Sequence, residues 1–247
     1  MRSGFSLPAT IFWEWEMIGL SRNLKLSWLN EAARLRQENL SAVECKARLT
    51  EFLSAEIESP TNLRKTREIL MRVWIYDGAE INSLRTAGAA WLEENPNAAQ
   101  AIHWSLLLVA YPIFAELNKI IGRLFEMGEV VTLRQIKQKL FDELGERSTL
   151  YHSTDKIIST LKNFGVISAR RPGEFFLTPQ IISDKKIIAL LIRAAMTIDG
   201  GSYCKLSELE RLTVLYPFKF AVSGDLFADE EIFTVASFGG EAAVVLK

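Results

Sequence analysis

"TLRQIKQKLFDELGERSTLYHSTDKIISTLKNFGVISARRPGEFFLT", Thr132 to Thr178, is the stretch whose reading decides the fold. Thr132 has the hydroxyl of a helix N-cap, and Leu133, Ile136, Leu140 and Leu144 follow at helical spacing before Gly145. Ser148 opens a second helix, with Leu150, Ile157, Leu161 and Phe164 on its apolar stripe, and Gly165 ends it. "ISARRPGEFFLT" comes next, two short β-prone runs around Pro172-Gly173, and reads as a hairpin. Helix, turn, helix and hairpin is the order of a winged helix-turn-helix. Arg170 and Arg171 sit at the hairpin tip. They are either solvated turn residues or the tip of a wing that touches nucleic acid.

Upstream, the pattern is helical throughout. "LSWLNEAARLRQEN" carries Leu26, Leu29, Ala33 and Arg36 at helical spacing, with Asn39 as a stop, and Ser41 starts a second helix. Ser59-Pro60 starts a third, a capping hydroxyl followed by proline at the first helical position. Two more are predicted, Glu80 to Glu94 and Asn97 to Glu126, the latter kinked or divided at Pro112. Downstream, "DKKIIALLIRAAMT" predicts a largely buried helix, and "IFTVASFGGEAAVVLK" a hairpin turning at Gly239-Gly240. The expected fold is mainly α: an N-terminal helical bundle over 1–127, a winged helix-turn-helix unit over 128–183, and a small C-terminal helix plus hairpin over 184–247.

Bulk properties exclude several classes. With 49% hydrophobic and 24% charged residues the chain is a folded one rather than a disordered one. Cys45 and Cys204 are far apart with no metal-ligand neighbours, which argues against a disulfide scaffold or zinc site. Glu14 and Glu16 interrupt the apolar start, which argues against a signal peptide. The longest apolar run, Trp104 to Ala115, is too short to span a bilayer, so no membrane insertion and a cytoplasmic location are expected.

The net charge of −1 announces no polyanionic partner, so any such site must come from local segregation. Between Thr132 and Gly173 there are eight cations against four carboxylates. That local excess is the footprint a phosphate backbone requires. On the second helix Thr149, His152, Ser153, Lys156, Thr160 and Asn163 recur three and four apart, one polar face opposite the apolar stripe. In the nucleic-acid reading Thr149, His152, Ser153 and Lys156 face a major groove, while Arg170 and Arg171 grip a phosphate or a minor groove. Arg134, Lys137 and Arg147 hold the flanking backbone, and Ser148 and Thr149 offer helix N-terminal amides to a phosphate. In the plainer reading this is an amphipathic helix with a solvated face. Arg64, Lys65 and Arg72 form a secondary basic patch, for which pairing such as Arg64 with Glu68 is the simpler account.

Enzymatic chemistry finds no support. His103 in "AIHWSLLL" reads as a hydrogen-bonded core histidine, and His152 lacks ligands at metal spacing. No nucleotide-binding loop, nucleophile elbow or zinc-protease motif occurs, and Glu93-Glu94, Asp142-Glu143 and Glu230-Glu231 read as solvated surface. No cofactor or metal is expected. Phe12, Trp13 and Trp15 read as core rather than as an exposed patch.

Several stretches resemble the BrxA family of the BREX bacteriophage-exclusion systems. They are "SPTNLRKTREILMRVW", "AYPIFAELNKIIGRLF" leading into "VTLRQIKQKLFDEL", "STDKIISTLKNFGVI" and "FFLTPQIIS", which together span most of residues 25 to 185. The resemblance implies a non-enzymatic, mainly helical DNA-binding protein of a phage-defence locus. That locus encodes its methyltransferase, ATPase and phosphatase-like protein as separate chains. A partial likeness of the family's helical body to an RNA-binding antitermination fold keeps RNA open as a ligand. Some family members carry an inner-membrane label, which the charge-broken N-terminus and short apolar runs here do not support. The expected function is sequence-tolerant binding of double-stranded DNA through the winged unit. The alternatives are an adaptor that docks other BREX components and an RNA binder using the helical bundle. The tail from about Ser202 has no assigned role.

Overall fold

Capping chemistry sets several helix starts. The structure is a computed structural model and describes residues 19–200, 203–227, 232–238 and 240–246. Phe12, Trp13, Trp15, Gly239, Glu230 and Glu231 lie outside the described residues. After α1 (Leu26–Gln37), α2 (Ala42–Ser54) begins with a capping box in which Ser41 and Glu44 bind each other's backbone amides. In α3 (Pro60–Trp74), the Ser59 hydroxyl accepts the Asn62 amide ahead of Pro60. α4 (Ala79–Glu94) follows, and then Pro112 divides the long apolar stretch into α5 (Ala99–Ala110) and α6 (Pro112–Met127), which meet at 116°. Proline lacks the amide needed to continue the ladder, and it pushes Tyr111 out of the helical region, to φ −134° and ψ 92°. Among the described residues, no single helix is long and apolar enough to cross a membrane.

The rest is mainly helical with small sheets: β1 (Val130–Thr132), α7 (Leu133–Leu144), α8 (Ser148–Asn163), β2 (Ile167–Arg171), β3 (Glu174–Leu177), β4 (Gln180–Ile181), α9 (Lys185–Asp199), β5 (Tyr203–Lys205), a short α10 (Leu206–Leu209), β6 (Phe218–Lys219), β7 (Phe233–Phe238) and β8 (Glu241–Leu246). The predicted C-terminal hairpin is β7–β8, with β5 added on the β8 side. β4 and β6 pair in parallel, a contact with no local sequence signal.

One continuous core runs from Leu20 to Phe218, drawing on α1, α3, α5, α6, α7, α8 and α9. His103 sits at its centre, fully buried. The indole N–H of Trp74 donates to His103 Nδ1 at 3.2 Å, so the ring proton is on Nε2 and is donated to Asn30 Oδ1 at 2.7 Å. Burial holds the imidazole neutral, its pKa pushed down to about 3. α1, α3 and α5 are thereby joined through one ring.

The C-terminal end of α3 is closed by buried arginine, which the sequence pattern does not reveal. The Arg85 guanidinium on α4 donates to the carbonyls of Arg72, Val73 (2.8 Å) and Tyr76, and to Asn82 Oδ1 at 2.9 Å. Arg36 adds a bond to the Trp74 carbonyl at 3.2 Å. These carbonyls have no partner within the helix, and the negative end of the helix dipole favours the cations.

Residues 213–218 fold back onto the body. Trp104 packs edge-on against Phe114, Tyr216 and Phe218 and donates to the Val214 carbonyl at 3.2 Å. The Tyr216 hydroxyl donates to Asn118 Oδ1 at 3.2 Å. Gly122 on α6 lets the Thr213 carbonyl approach so closely that any Cβ would overlap it. α9 has two apolar faces: Ile187, Leu190, Leu191, Ala194 and Ala195 join the main core, while Ile188, Ile192 and Met196 face a second core with Leu209, Leu226, Phe227, Phe233 and Val244.

Candidate nucleic-acid interface

β1, α7, α8, β2 and β3 form a connected unit. Thr132 caps α7 through a capping box with Gln135, and Gly165, at φ +73°, turns the chain from α8 into β2. The three strands make an antiparallel sheet in the order β1-β3-β2. Val131 and Phe175, directly paired, are buried beneath it, and the Leu133 amide donates to the Gly173 carbonyl at 2.8 Å. On the outer face, Val130 and Ser168 flank Phe176 as its cross-strand partners.

The hairpin tip has a specific geometry. Pro172 followed by Gly173 at φ +78° is the type II pattern, whose twist suits a two-residue hairpin poorly. The strands accommodate it with a bulge: Ala169 pairs with Phe175 and Arg171 with Glu174, leaving Arg170 as the extra residue. The bulge sets two arginines opposite one partner residue. Both are exposed. The Arg170 guanidinium carbon lies over the Phe176 ring, 4.6 Å from its centroid, a cation–π contact.

α8 departs from the expected face. Thr149 and His152 are exposed and Lys156 is half-buried, but Ser153 and Thr160 are buried. The segment Gly19 to Lys25 lies over this flank. Thr160 Oγ1 accepts the Leu24 amide at 3.0 Å, and Asn163 Nδ2 donates to the Leu24 carbonyl at 2.8 Å. At the other end of the segment, an ideal Cβ on Gly19 would lie 2.8 Å from Ser153 Oγ. Ser153 is therefore withdrawn from the outward set. The outward line is instead Ser148, Tyr151, His152, Asp155, Ser159 and Lys162, with Thr149 and Lys156 at its edge. At 3.6 residues per turn this moves the outward face by roughly 70° about the helix axis.

Lys137 is also placed differently from its expected role. Only 13% of its side chain is exposed, its ammonium pairs with Asp155 at 2.9 Å, and it lies 3.4 Å from the Tyr151 ring centroid. Burial opposes its charge, but the Asp155 carboxylate and the Tyr151 hydroxyl raise its pKa above the ordinary lysine value. The ammonium thus neutralises the one carboxylate on the outward line and ties α7 to α8. Phe141 stacks beside Tyr151 from the same face of α7.

Of the other cations, Arg134, Lys139, Arg147, Lys162 and Arg171 are exposed, Lys156 is half-exposed, and none takes part in an ion pair among the described residues. Glu143 is held by Arg123 at 2.7 Å and Asp142 accepts from Gln138 at 2.8 Å, so part of the local negative charge is already engaged. Tyr151, Ser159 and Lys162 on the outward line of α8, and Phe176 on the outer face of the sheet, are surface positions that the sequence reading did not single out. With Asp155, the three α8 residues recur four, four and three apart, a spacing that competes in sequence with an equally regular polar line.

The secondary patch is on α3. Arg64, Lys65 and Arg72 are exposed, and the Arg72 guanidinium carbon is 5.9 Å from the Tyr111 ring centroid. The expected pairing of Arg64 with Glu68 is not made. Glu68 is taken by Arg67 at 2.9 Å, by the Tyr76 hydroxyl at 2.6 Å and by Lys46 at 3.4 Å. Burial works against its charge, and these partners nevertheless hold its pKa below the usual carboxylate value. The Arg67–Glu68–Tyr76 contacts are internal, and Arg64 and Lys65 point to solvent without an acidic partner among the described residues.

Among the described residues no group of three His, Cys, Asp or Glu side chains could hold a metal ion. Comparison with protein-family models, with curated proteins and with solved structures finds no match to this chain.

Proposed function

We propose that residues 130–177 form a winged helix-turn-helix carried by an N-terminal helical bundle, and that through it the chain binds double-stranded DNA without catalysing a reaction. In this reading α8 enters the major groove with Ser148, Thr149, Tyr151, His152 and Lys162, and the β2–β3 tip meets an adjacent phosphate. Arg134, Lys139 and Arg147 supply further phosphate contacts. Its setting is the cytoplasm, as a component of a BREX-type phage-defence system. The observation that supports it best is one chain order: α7, α8 and a hairpin whose bulge sets Arg170 and Arg171 opposite one residue, with unpaired cations on both sides.

The test is fluorescence anisotropy with duplex DNA at two salt concentrations. About six phosphate contacts correspond to a slope of log K against log salt of about −5. Absence of binding at low salt overturns the reading. A second reading, docking of another defence protein, is supported by Met127 and Val130, which are 82% and 41% exposed beside the sheet's outer face. Nuclease-resistant co-purification with another product of the same locus would favour it.

A further inference from the structure

We infer that the two tip arginines are not equivalent: Arg170 is the preorganised phosphodiester ligand of the hairpin, Phe176 is its positioning residue, and Arg171 contributes only unlocalised charge. The inference rests on the DNA-binding reading and deepens it.

Three observations carry it. Phe176 lies on the central strand, so Val130 on one side and Ser168 on the other fix its ring. The bulge at Arg170 frees that residue from the regular register, and its guanidinium carbon lies over the ring, 4.6 Å from the centroid. Contact with the ring restricts where the guanidinium can lie, and Arg170 makes no hydrogen bond or ion pair among the described residues. The guanidinium is therefore held in place with its donors unused, the condition in which a planar fork meets two phosphate oxygens with little loss of rotamer freedom. Arg171 has an equally exposed side chain, but among the described residues no aromatic or hydrogen-bond partner orients it. It pairs in register with Glu174, whose carboxylate offsets part of its charge towards an approaching anion.

The chemistry separates the two positions. Lysine keeps the charge at either site but removes the fork. Leucine at 176 keeps an apolar cover over the sheet but removes the π face, whereas tyrosine keeps it.

The experiment measures duplex-DNA affinity by anisotropy for the full chain and for R170K, R170Q, R171K, F176L, F176Y and the R170K/F176L pair, with a thermal melt of each protein. Expected are about ten-fold weaker binding for R170K, and about three-fold for F176L, equivalent to about 0.7 kcal/mol at 1.4 kcal/mol per ten-fold. F176Y should bind within about two-fold of the unaltered chain, as should R171K. R170Q should reduce the salt slope by about 0.9, and the R170K/F176L pair should bind no more weakly than R170K alone, because the platform acts through the guanidinium. Equal losses for R170K and R171K, or an F176L protein that melts lower yet binds unchanged, would overturn the inference. Failure of the unaltered chain to bind is a different outcome, and it overturns the DNA-binding reading itself.

Discussion

Thr160 accepts the backbone amide of Leu24 through its hydroxyl at 3.0 Å, across 136 positions of sequence. The same hydroxyl donates to the Lys156 carbonyl at 2.9 Å, so both its hydrogen-bonding roles are used within the protein. T160V should therefore lower stability by about 1–2 kcal/mol, because the buried Leu24 amide loses its acceptor. Duplex affinity should stay unchanged, whereas K162A on the outward line should weaken it. Urea melts and anisotropy on both variants check this, and a binding loss in T160V with unaltered stability would place the DNA face on the covered side.

Lys137 and Asp155 should behave as a unit. Removing the ammonium with K137M costs about 1 kcal/mol through the lost ion pair and cation–π contact. It also leaves the Asp155 carboxylate unneutralised on the outward line. The expected affinity loss thus exceeds that of a single missing surface charge, and the K137M/D155N double variant should recover most of it. A double-mutant cycle on both stability and affinity measures the coupling. Additive losses would mean that Lys137 meets the phosphate directly.

Stability should fall between neutral pH and about pH 4.5 because of His103. Its folded pKa, about 3, lies below the ordinary histidine value of 6.5, so the folded state binds fewer protons than the unfolded one in that window. The contribution is fully present above pH 6.5 and is lost as pH falls towards 3, at roughly 1.4 kcal/mol per unit where the unfolded histidine is protonated. Denaturant midpoints at pH 7.5, 5.5 and 4.5 should decline accordingly, and H103N should flatten the decline while lowering the plateau. The carboxylates held low, Glu44, Glu56 and Glu68, act further down, below about pH 4.5.

At Gly122 a single methyl should be damaging. G122A forces the Thr213 carbonyl and Tyr216 Cβ away from α6, which should cost about 2–3 kcal/mol, in the range of core overpacking. Loosening of the 213–218 segment should appear as higher fluorescence sensitivity of Trp104, which Tyr216 and Phe218 cover. A G122A protein with an unchanged melt would contradict the close approach.

Much of the helical layout was legible locally, because its signals are local. Ser41, Ser59 and Thr132 accept the amides that their positions predict, and Pro112 breaks the helix at the residue it must. The candidate site was legible only in outline. A small hydroxyl such as Thr160 looks the same in sequence whether water or a distant backbone satisfies it, and the Gly19–Lys25 segment that covers Ser153 and Thr160 is invisible to helical periodicity. The role of Arg85 has no sequence signal either: an arginine in an amphipathic pattern reads as surface unless the carbonyls it caps are known. The three-residue β1 and the two-residue β4 and β6 are too short for an alternating pattern.

The two apolar faces of α9 have a consequence for how the chain opens. The smaller core, built on Ile188, Ile192 and Met196 from α9 together with Phe227, Phe233 and Val244, is small beside the main one. α9 itself is anchored by its other face. The β5–β8–β7 sheet is thus placed to separate as a cooperative unit while α9 stays docked, exchanging its amide protons by a sub-global route well below the free energy of complete unfolding. Amides of α5 and α6, beneath Trp104 and Phe114, would exchange only with the whole body.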